Sequence, residues 1–309
     1  MKHIIDPGKE RRSINFTDNI CYSHVTDREG KPLDLYLSLM LQNGNSEMRL
    51  ASGRDDEVST GLQPVIVWIN GAGYRGVDKN LMAAELEYFA ERGYAVACVY
   101  YRSSAQGRWP AQLIDCKTAV RFLRAHAAEY GLDPARIATF GRSAGGHLSA
   151  FMALNTDGYD SDEWAGFSSR VQAAADYFGI GDMEPLAKRE AENLKRPDYR
   201  WHSFPETHVG ALLDLTDDMP EAEMLRRCHE ASPINFINPG MCPLAILHGD
   251  QDPLIPIENN EAFYARLVEA GLEGQTEFYT VKNGGHGTRE FFQAETKAVV
   301  ADFFDRYLR

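Results

Sequence analysis

Cysteine is sparse in this chain and follows no pattern. The five residues, Cys21, Cys98, Cys116, Cys228 and Cys242, are odd in number and widely spaced, with no C-x-x-C pair. That leaves no sign of a zinc or dithiol motif and makes buried free thiols the expectation. Cys98 and Cys116 fall inside apolar periodic segments, where a thiol serves as a small hydrophobe. Positive charge is also in deficit. With 32 Lys and Arg against 45 Asp and Glu, the formal net charge is -13, and the cations are scattered rather than gathered into a stripe. Such a surface repels phosphate backbones and anionic leaflets, so neither a nucleic-acid nor a membrane partner is expected. No stretch approaches the roughly 20 apolar residues that span a bilayer. Met1 to Arg12 is charged and lacks the apolar run of a signal peptide. A soluble, cytoplasmic protein is expected; homo-oligomer formation is left open. No internal repeat is present.

The chain's 309 residues, 44% of them hydrophobic, suffice for one sizeable core. We expect one catalytic domain over 1–309, carrying insertions. Asn15 to Val25 and Pro32 to Leu41 alternate like strands able to pair antiparallel. A polar, glycine-bearing segment over 43–63 then breaks the pattern and reads as a loop insertion. From Pro64 onward, almost continuously apolar strands alternate with amphipathic helices, the pattern of a mostly parallel sheet covered on both faces. The strands are placed at Val65 to Ile69, Tyr94 to Tyr101, Arg136 to Phe140, Val171 to Ile180, Pro243 to Leu247 and Thr276 to Val281. One helix is capped by Asp78 and closed by Gly93, another starts at Pro110 and closes at Gly131, and a last runs from Arg289 to Leu308. Between Gly181 and Pro233 the chain is helical in period, without strands. This 181–233 segment is expected to form a helical cap or lid over the carboxyl ends of the sheet.

Gly141-Arg142-Ser143-Ala144-Gly145 follows a short strand and opens a helix, the setting of a G-x-S-x-G nucleophile elbow. The glycines let strand and helix come close around a strained serine, and the amide of Ala144 would point at an oxyanion formed there. A serine hydroxyl needs an imidazole to take its proton and a carboxylate to orient that imidazole. His286, in the turn Asn283-Gly284-Gly285-His286-Gly287, is the expected base. His248, ending a strand, and His147, one turn into the nucleophile helix, are given structural roles. Asp252 is the expected acid, with Asp250 in the same loop as its alternative. The order Ser143, Asp252, His286 is that of the α/β-hydrolase fold.

The segments Val67 to Tyr74, Tyr101-Arg102, Gly141 to His147, Ser232-Pro233-Ile234 and Leu247 to Pro256 together resemble the esterase and lipase branch of the α/β-hydrolases. They are most similar to the hormone-sensitive-lipase-like carboxylesterases and the acetylxylan or feruloyl esterases. The resemblance runs from about Asp34 to the C-terminus. It implies an α/β-hydrolase fold with a helical cap, no cofactor and no metal. It also implies a small-molecule or oligosaccharide ester as substrate, with short-chain acyl or acetyl and feruloyl groups. In that family a His-Gly-Gly-Gly stretch supplies oxyanion amides. The corresponding Asn70-Gly71-Ala72-Gly73 implies that Ala72 and Gly73 act together with Ala144. Asn70 and Arg142 depart from the family's usual residues. Asn70 is expected to brace the loop through its amide; Arg142 either brings a positive charge close to the site or, the preferred reading, pairs with a neighbouring acid.

Rival readings come from the same residues. Gly71-Ala72-Gly73-Tyr74-Arg75-Gly76 is a literal G-x-G-x-x-G after a buried strand, as in NAD(P)-binding oxidoreductases. That fingerprint expects an acid near the end of the next strand, which here ends Tyr100-Tyr101-Arg102. An amidase or peptidase of the same fold, and a non-catalytic binding protein, are the further alternatives. Trp164, Tyr177, Tyr199, Trp201 and Phe204 are candidates either for a pocket wall or for core packing.

Overall fold

A computed structural model describes residues 2–5, 13–42 and 61–309. The segment 43–63, read above as an insertion, lies outside the described residues except for its last three positions. The first two strands, β1 (Ile14–Thr26) and β2 (Pro32–Gln42), pair antiparallel as their alternation predicts. Then follow β3 (Gln63–Ile69), α1 (Ala83–Glu91), β4 (Ala95–Val99), α2 (Ala111–Ala125), the short α3 (Ala127–Tyr130), β5 (Leu132–Arg142), α4 (Ala144–Ala153) and β6 (Ala173–Tyr177). After β6 come α5 (Glu184–Leu194), α6 (His208–Leu213) and α7 (Glu221–Glu230), with no strand among them. The chain closes with β7 (Leu244–Gly249), α8 (Glu258–Glu269), β8 (Thr276–Val281) and α9 (Ala294–Leu308).

The strands form one sheet in the order β1-β2-β4-β3-β5-β6-β7-β8, parallel from β4 to β8 and antiparallel at β1 and β2. The near-continuous apolar runs follow from burial on both sides. Val65, Val67 and Ile69 of β3 face one core, with Leu113 and Val120 of α2, Leu148 of α4 and Phe263 of α8. Ile66 and Trp68 face the other, with Leu86 and Phe89 of α1 and Phe303 and Phe304 of α9. Alternate residues of a strand point to opposite faces, so only a doubly covered sheet buries them all.

Several boundaries differ from expectation. Asp78 does not cap α1, which starts at Ala83. Its carboxylate takes the Asn80 amide at 2.9 Å in a separate turn. Pro110 stands just outside α2, and that helix breaks after Ala125 before Gly131, at φ 67°, ends the following turn. β5 starts at Leu132, earlier than expected, because Leu132 pairs with Gln63. β6 is confined to Ala173–Tyr177, since Phe178 turns to φ 43°. The terminal helix is interrupted at an extended Gln293, with a single 3-10 turn over Arg289–Phe292 before it. Of the cysteines, Cys21 is partly exposed and the other four are buried, all of them free. No helix among the described residues is long and apolar enough to cross a membrane.

Candidate active site

The nucleophile motif sits where β5 turns into α4. Ser143, between them, takes φ 53° and ψ -123°, a conformation that costs an L-residue of order 1–3 kcal/mol and is held only where its surroundings impose it. They do so here by close approach. A Cβ on Gly141 would lie 2.1 Å from the Gly145 carbonyl oxygen, and one on Gly145 would lie 1.8 Å from that of Ile69. Only glycine permits this crossing of strand and helix. The Ser143 amide donates to the Tyr177 carbonyl at 2.8 Å, fastening the turn to β6.

Three side chains distant in sequence meet at this turn. The Ser143 hydroxyl lies 2.8 Å from His286 Nε2, and His286 Nδ1 lies 2.8 Å from Asp252 Oδ2. The other carboxylate oxygen of Asp252 accepts the amides of Leu254 and Ile255 at 2.8 and 2.9 Å. Burial alone would raise the Asp252 pKa, but hydrogen bonds from His248, His286 and the Ile255 amide outweigh it and hold the carboxyl well below the usual carboxylate range. The Phe178 ring packs edge-on against His286 at 4.8 Å, which fixes the plane of the imidazole. Asp250 has a different occupation: it is exposed and accepts the Asn283 amide at 2.7 Å, holding the turn that leads to His286.

The other two histidines are structural, as expected. His147 is fully buried, with Tyr74 Oη 2.9 Å from Nδ1 and the Ala231 carbonyl 2.8 Å from Nε2, and burial pushes its pKa down to about 4. His248 sits 2.9 Å from the Ile255 carbonyl through Nε2 and 3.0 Å from Asn260 through Nδ1. Its Nε2 also comes within 3.5 Å of Asp252 Oδ2.

The loop after β3 lies against the serine. A Cβ on Gly71 would meet the Arg142 carbonyl at 2.3 Å and Ser143 Cβ at 2.7 Å. Asn70 braces this loop from below: Nδ2 donates to the Asp78 carbonyl at 2.7 Å, Oδ1 accepts Arg142 Nε at 2.8 Å, and its carbonyl accepts the Tyr101 hydroxyl at 2.8 Å. The expected role of Asn70 therefore fits the geometry, whereas the preferred reading of Arg142 does not, and its side chain instead lines the cavity beside the serine. Among the described residues Arg142 pairs with no carboxylate, and the Asn70 amide is its partner. The amides of Ala72, Gly73 and Ala144 donate to no protein acceptor among the described residues, so they stay free for a ligand oxygen.

Above the serine is a cavity of about 310 Å³, walled by Tyr74, Phe178, Ile180, Leu186, Val209, Leu254 and Ile255, together with Arg142, Arg189, Glu190, His208 and His286. None of the five aromatic side chains considered from sequence lines it. Trp164 hydrogen-bonds the Tyr22 carbonyl and packs on Phe122, and Tyr177 is buried between Phe140 and Phe291. Trp201 backs His208 and lies edge-on to Tyr199, and Phe204 packs into the apolar cluster beneath α5 and α6. Arg189, Glu190 and His208 were not singled out in the sequence, because isolated polar residues in a helical segment read as a solvated face. The G-x-G-x-x-G match opens no helix: α1 begins beyond Gly76, at Ala83, so the loop lacks the helix N-terminus that a dinucleotide pyrophosphate requires.

A family model described as BD-FAE matches residues 55–267. The probable carboxylic ester hydrolase LipM of Mycobacterium tuberculosis is 32% identical over 71% of this chain and 48% of its own length. Esterase LipQ of the same organism is 30% identical over 74% of this chain and 51% of its own. The chain thus spans about half the length of the curated relatives it matches. Among solved structures, a truncated carbohydrate esterase from gut microbiota superposes with a TM-score of 0.72 at 25% identity, covering 97% of this chain and 98% of that one. The Thermogutta terrifontis esterase Est2 shares the fold at a TM-score of 0.65 and 23% identity, covering 96% and 91%.

Proposed function

The chain belongs to the BD-FAE family, within the esterase branch of the α/β-hydrolases, and from that premise we propose that it hydrolyses carboxylic esters through an acyl-enzyme. The observation that carries this reading is the unbroken relay of 2.8 Å contacts from Ser143 Oγ through His286 to Asp252. In this mechanism His286 Nε2 takes the hydroxyl proton as Ser143 Oγ attacks the ester carbonyl carbon. The same proton then goes to the departing alcohol as the C–O bond breaks. Water deacylates Ser143 by the same exchange in reverse roles. Asp252 keeps the imidazole proton on Nδ1 and balances the imidazolium that forms. The free amides of Ala72, Gly73 and Ala144 receive the oxyanion, and each such donor is worth about 3–4 kcal/mol to the transition state.

We read 1–309 as one domain and 181–233 as its cap, since Leu186, Arg189, Glu190, His208 and Val209 of that segment form one wall of the cavity. A cavity of about 310 Å³ suits a short acyl group. The similarity to a carbohydrate esterase supports carbohydrate-linked esters, acetyl or feruloyl, beside simple short-chain ones. Replacing Ser143 by Ala tests the assignment. Turnover of p-nitrophenyl acetate should fall by at least roughly 1,000-fold; a variant that keeps most of its activity sinks it. Comparing a chain-length series of p-nitrophenyl esters with acetylated xylan and methyl ferulate then sorts the substrates.

A further inference from the structure

Leaving aside Ser143 and His286, the hydrogen-bonding side chains that wall the cavity divide by what they already hold. Tyr74 is engaged with His147, Arg142 Nε with Asn70, Arg189 with the Leu254 carbonyl, and Glu190 Oε1 with the Val209 amide at 3.5 Å. His208 holds nothing, because neither ring nitrogen has a hydrogen-bond partner among the described residues; the others each keep a bond, although Glu190 Oε2 is buried without a partner. The His208 ring is nonetheless held firmly. Trp201 packs edge-on against it at 4.7 Å, and Arg200 and Arg75 lie over the Trp201 ring at 3.9 and 5.6 Å. On its other side a Cβ added to Gly73 would lie 2.7 Å from His208 Nε2, so this nitrogen stands directly over the oxyanion loop. Arg75, two residues beyond Gly73, donates to the carbonyls of Glu206 and Thr207 and so ties the loop to the turn that carries His208. Thr207 caps α6 through Oγ1 to the Gly210 amide at 2.9 Å, fixing the start of the helix on which His208 stands.

We infer that His208 is a substrate-contacting specificity residue, its Nε2 hydrogen-bonding a hydroxyl group that the ester carries close to its scissile carbonyl. A neutral imidazole offers one donor and one acceptor, the complement of a hydroxyl. Burial, together with the positive charges of Arg75 and Arg200, pushes the His208 pKa down to about 4, so the ring stays neutral at working pH. Apart from Arg142, Arg189 and Glu190 the rest of the wall is chiefly apolar, and His208 Nε2 is set against the oxyanion loop, where a hydroxyl close to the scissile carbonyl would lie. An alkyl ester of the same size leaves the nitrogen unpaired and is disfavoured. The inference rests on the ester-hydrolase reading of the same site.

Two matched pairs test it. Glycerol 1-acetate against propyl acetate places hydroxyls on the alcohol side, and ethyl 3-hydroxybutanoate against ethyl butanoate places one on the acyl side. The wild-type enzyme should prefer the hydroxylated member of at least one pair by about threefold to tenfold in kcat/KM, the worth of one neutral hydrogen bond. The pair that responds identifies the side. His208→Phe keeps a ring against Trp201 and should bring that ratio close to one, while His208→Gln restores a donor and an acceptor and part of the preference. A purely structural role lowers both members alike and leaves the ratio unmoved, which overturns the inference, as does a wild-type ratio near one in both pairs. If the enzyme turns over neither member of either pair, the ester-hydrolase reading itself fails.

Discussion

Asp252 and Asp250 lie two residues apart in one loop, and exchanging each for Asn should separate them sharply. In Asp252 the Oδ1 atom accepts two backbone amides, from Leu254 and Ile255, so an asparagine there must place its carbonyl oxygen at that position. Its NH₂ group then occupies the place of Oδ2, 2.8 Å from His286 Nδ1. An amine at that point donates where the carboxylate accepted. The imidazole proton is driven to Nε2, which then donates to Ser143 Oγ and cannot take the hydroxyl proton. The same change in a serine protease triad lowers kcat about 10,000-fold, or about 5 kcal/mol. A loss of that order is expected for Asp252→Asn. In Asp250→Asn the amide oxygen still accepts from Asn283 at the exposed end of the loop, so activity should stay within about threefold. The assay is kcat and KM for p-nitrophenyl acetate, with a melting curve for each variant. Asp252→Asn keeping more than a tenth of kcat, or Asp250→Asn losing as much as Asp252→Asn, refutes the reasoning.

Two further predictions concern the frame of the site. In Gly71→Ala the new Cβ meets the backbone of Arg142 and Cβ of Ser143, so the loop must move away from the serine. A fall in kcat of roughly 100-fold, with a smaller change in KM, is expected from misplaced oxyanion amides, and wild-type kinetics would count against that role. His147 is held neutral, its pKa lowered from 6.5 to about 4 by burial. A base with a lowered folded-state pKa binds fewer protons when folded, so its contribution is complete above about pH 6.5 and is lost as pH falls toward 4, on the order of 3 kcal/mol. Asp176, raised to about 7 by burial, works in the opposite sense, losing stability as pH rises from about 4 to 7. Denaturant unfolding of wild type and His147→Gln between pH 4.5 and 7.5 isolates the histidine: the variant should lose less stability on acidification, and parallel curves would refute the assignment.

Much of the fold follows from local pattern. The β/α alternation was legible because strands buried on both faces must be apolar throughout, and the limits of β8 were read to the residue. Boundaries failed where a long-range contact intervened. β5 begins at Leu132 only because Gln63 is there to pair with it. The glycines at 141 and 145 were legible as close approaches, since no other residue fits such a turn, whereas the close approach at Gly71 came only from the structure.

By itself, then, the sequence determined the doubly covered sheet, the strained serine at the tip of a strand, the loop that carries Asp252 and the glycine-rich turn that presents His286. These depend on backbone sterics and hydrophobic period, which act between near neighbours. Which side chains meet was decided only by the tertiary structure. Ser143 and His286 are separated by 143 positions, and His286 and Asp252 by 34. The choice of Asp252 over Asp250 turned on which carboxylate two loop amides point inward. The choice of Asn70 as partner of Arg142 turned on how the loop after β3 lies against the nucleophile turn, and that of His208 over five more conspicuous aromatics on which side chains of 181–233 face the cavity. Contacts across such separations depend on the packing of whole elements, and no local pattern encodes them.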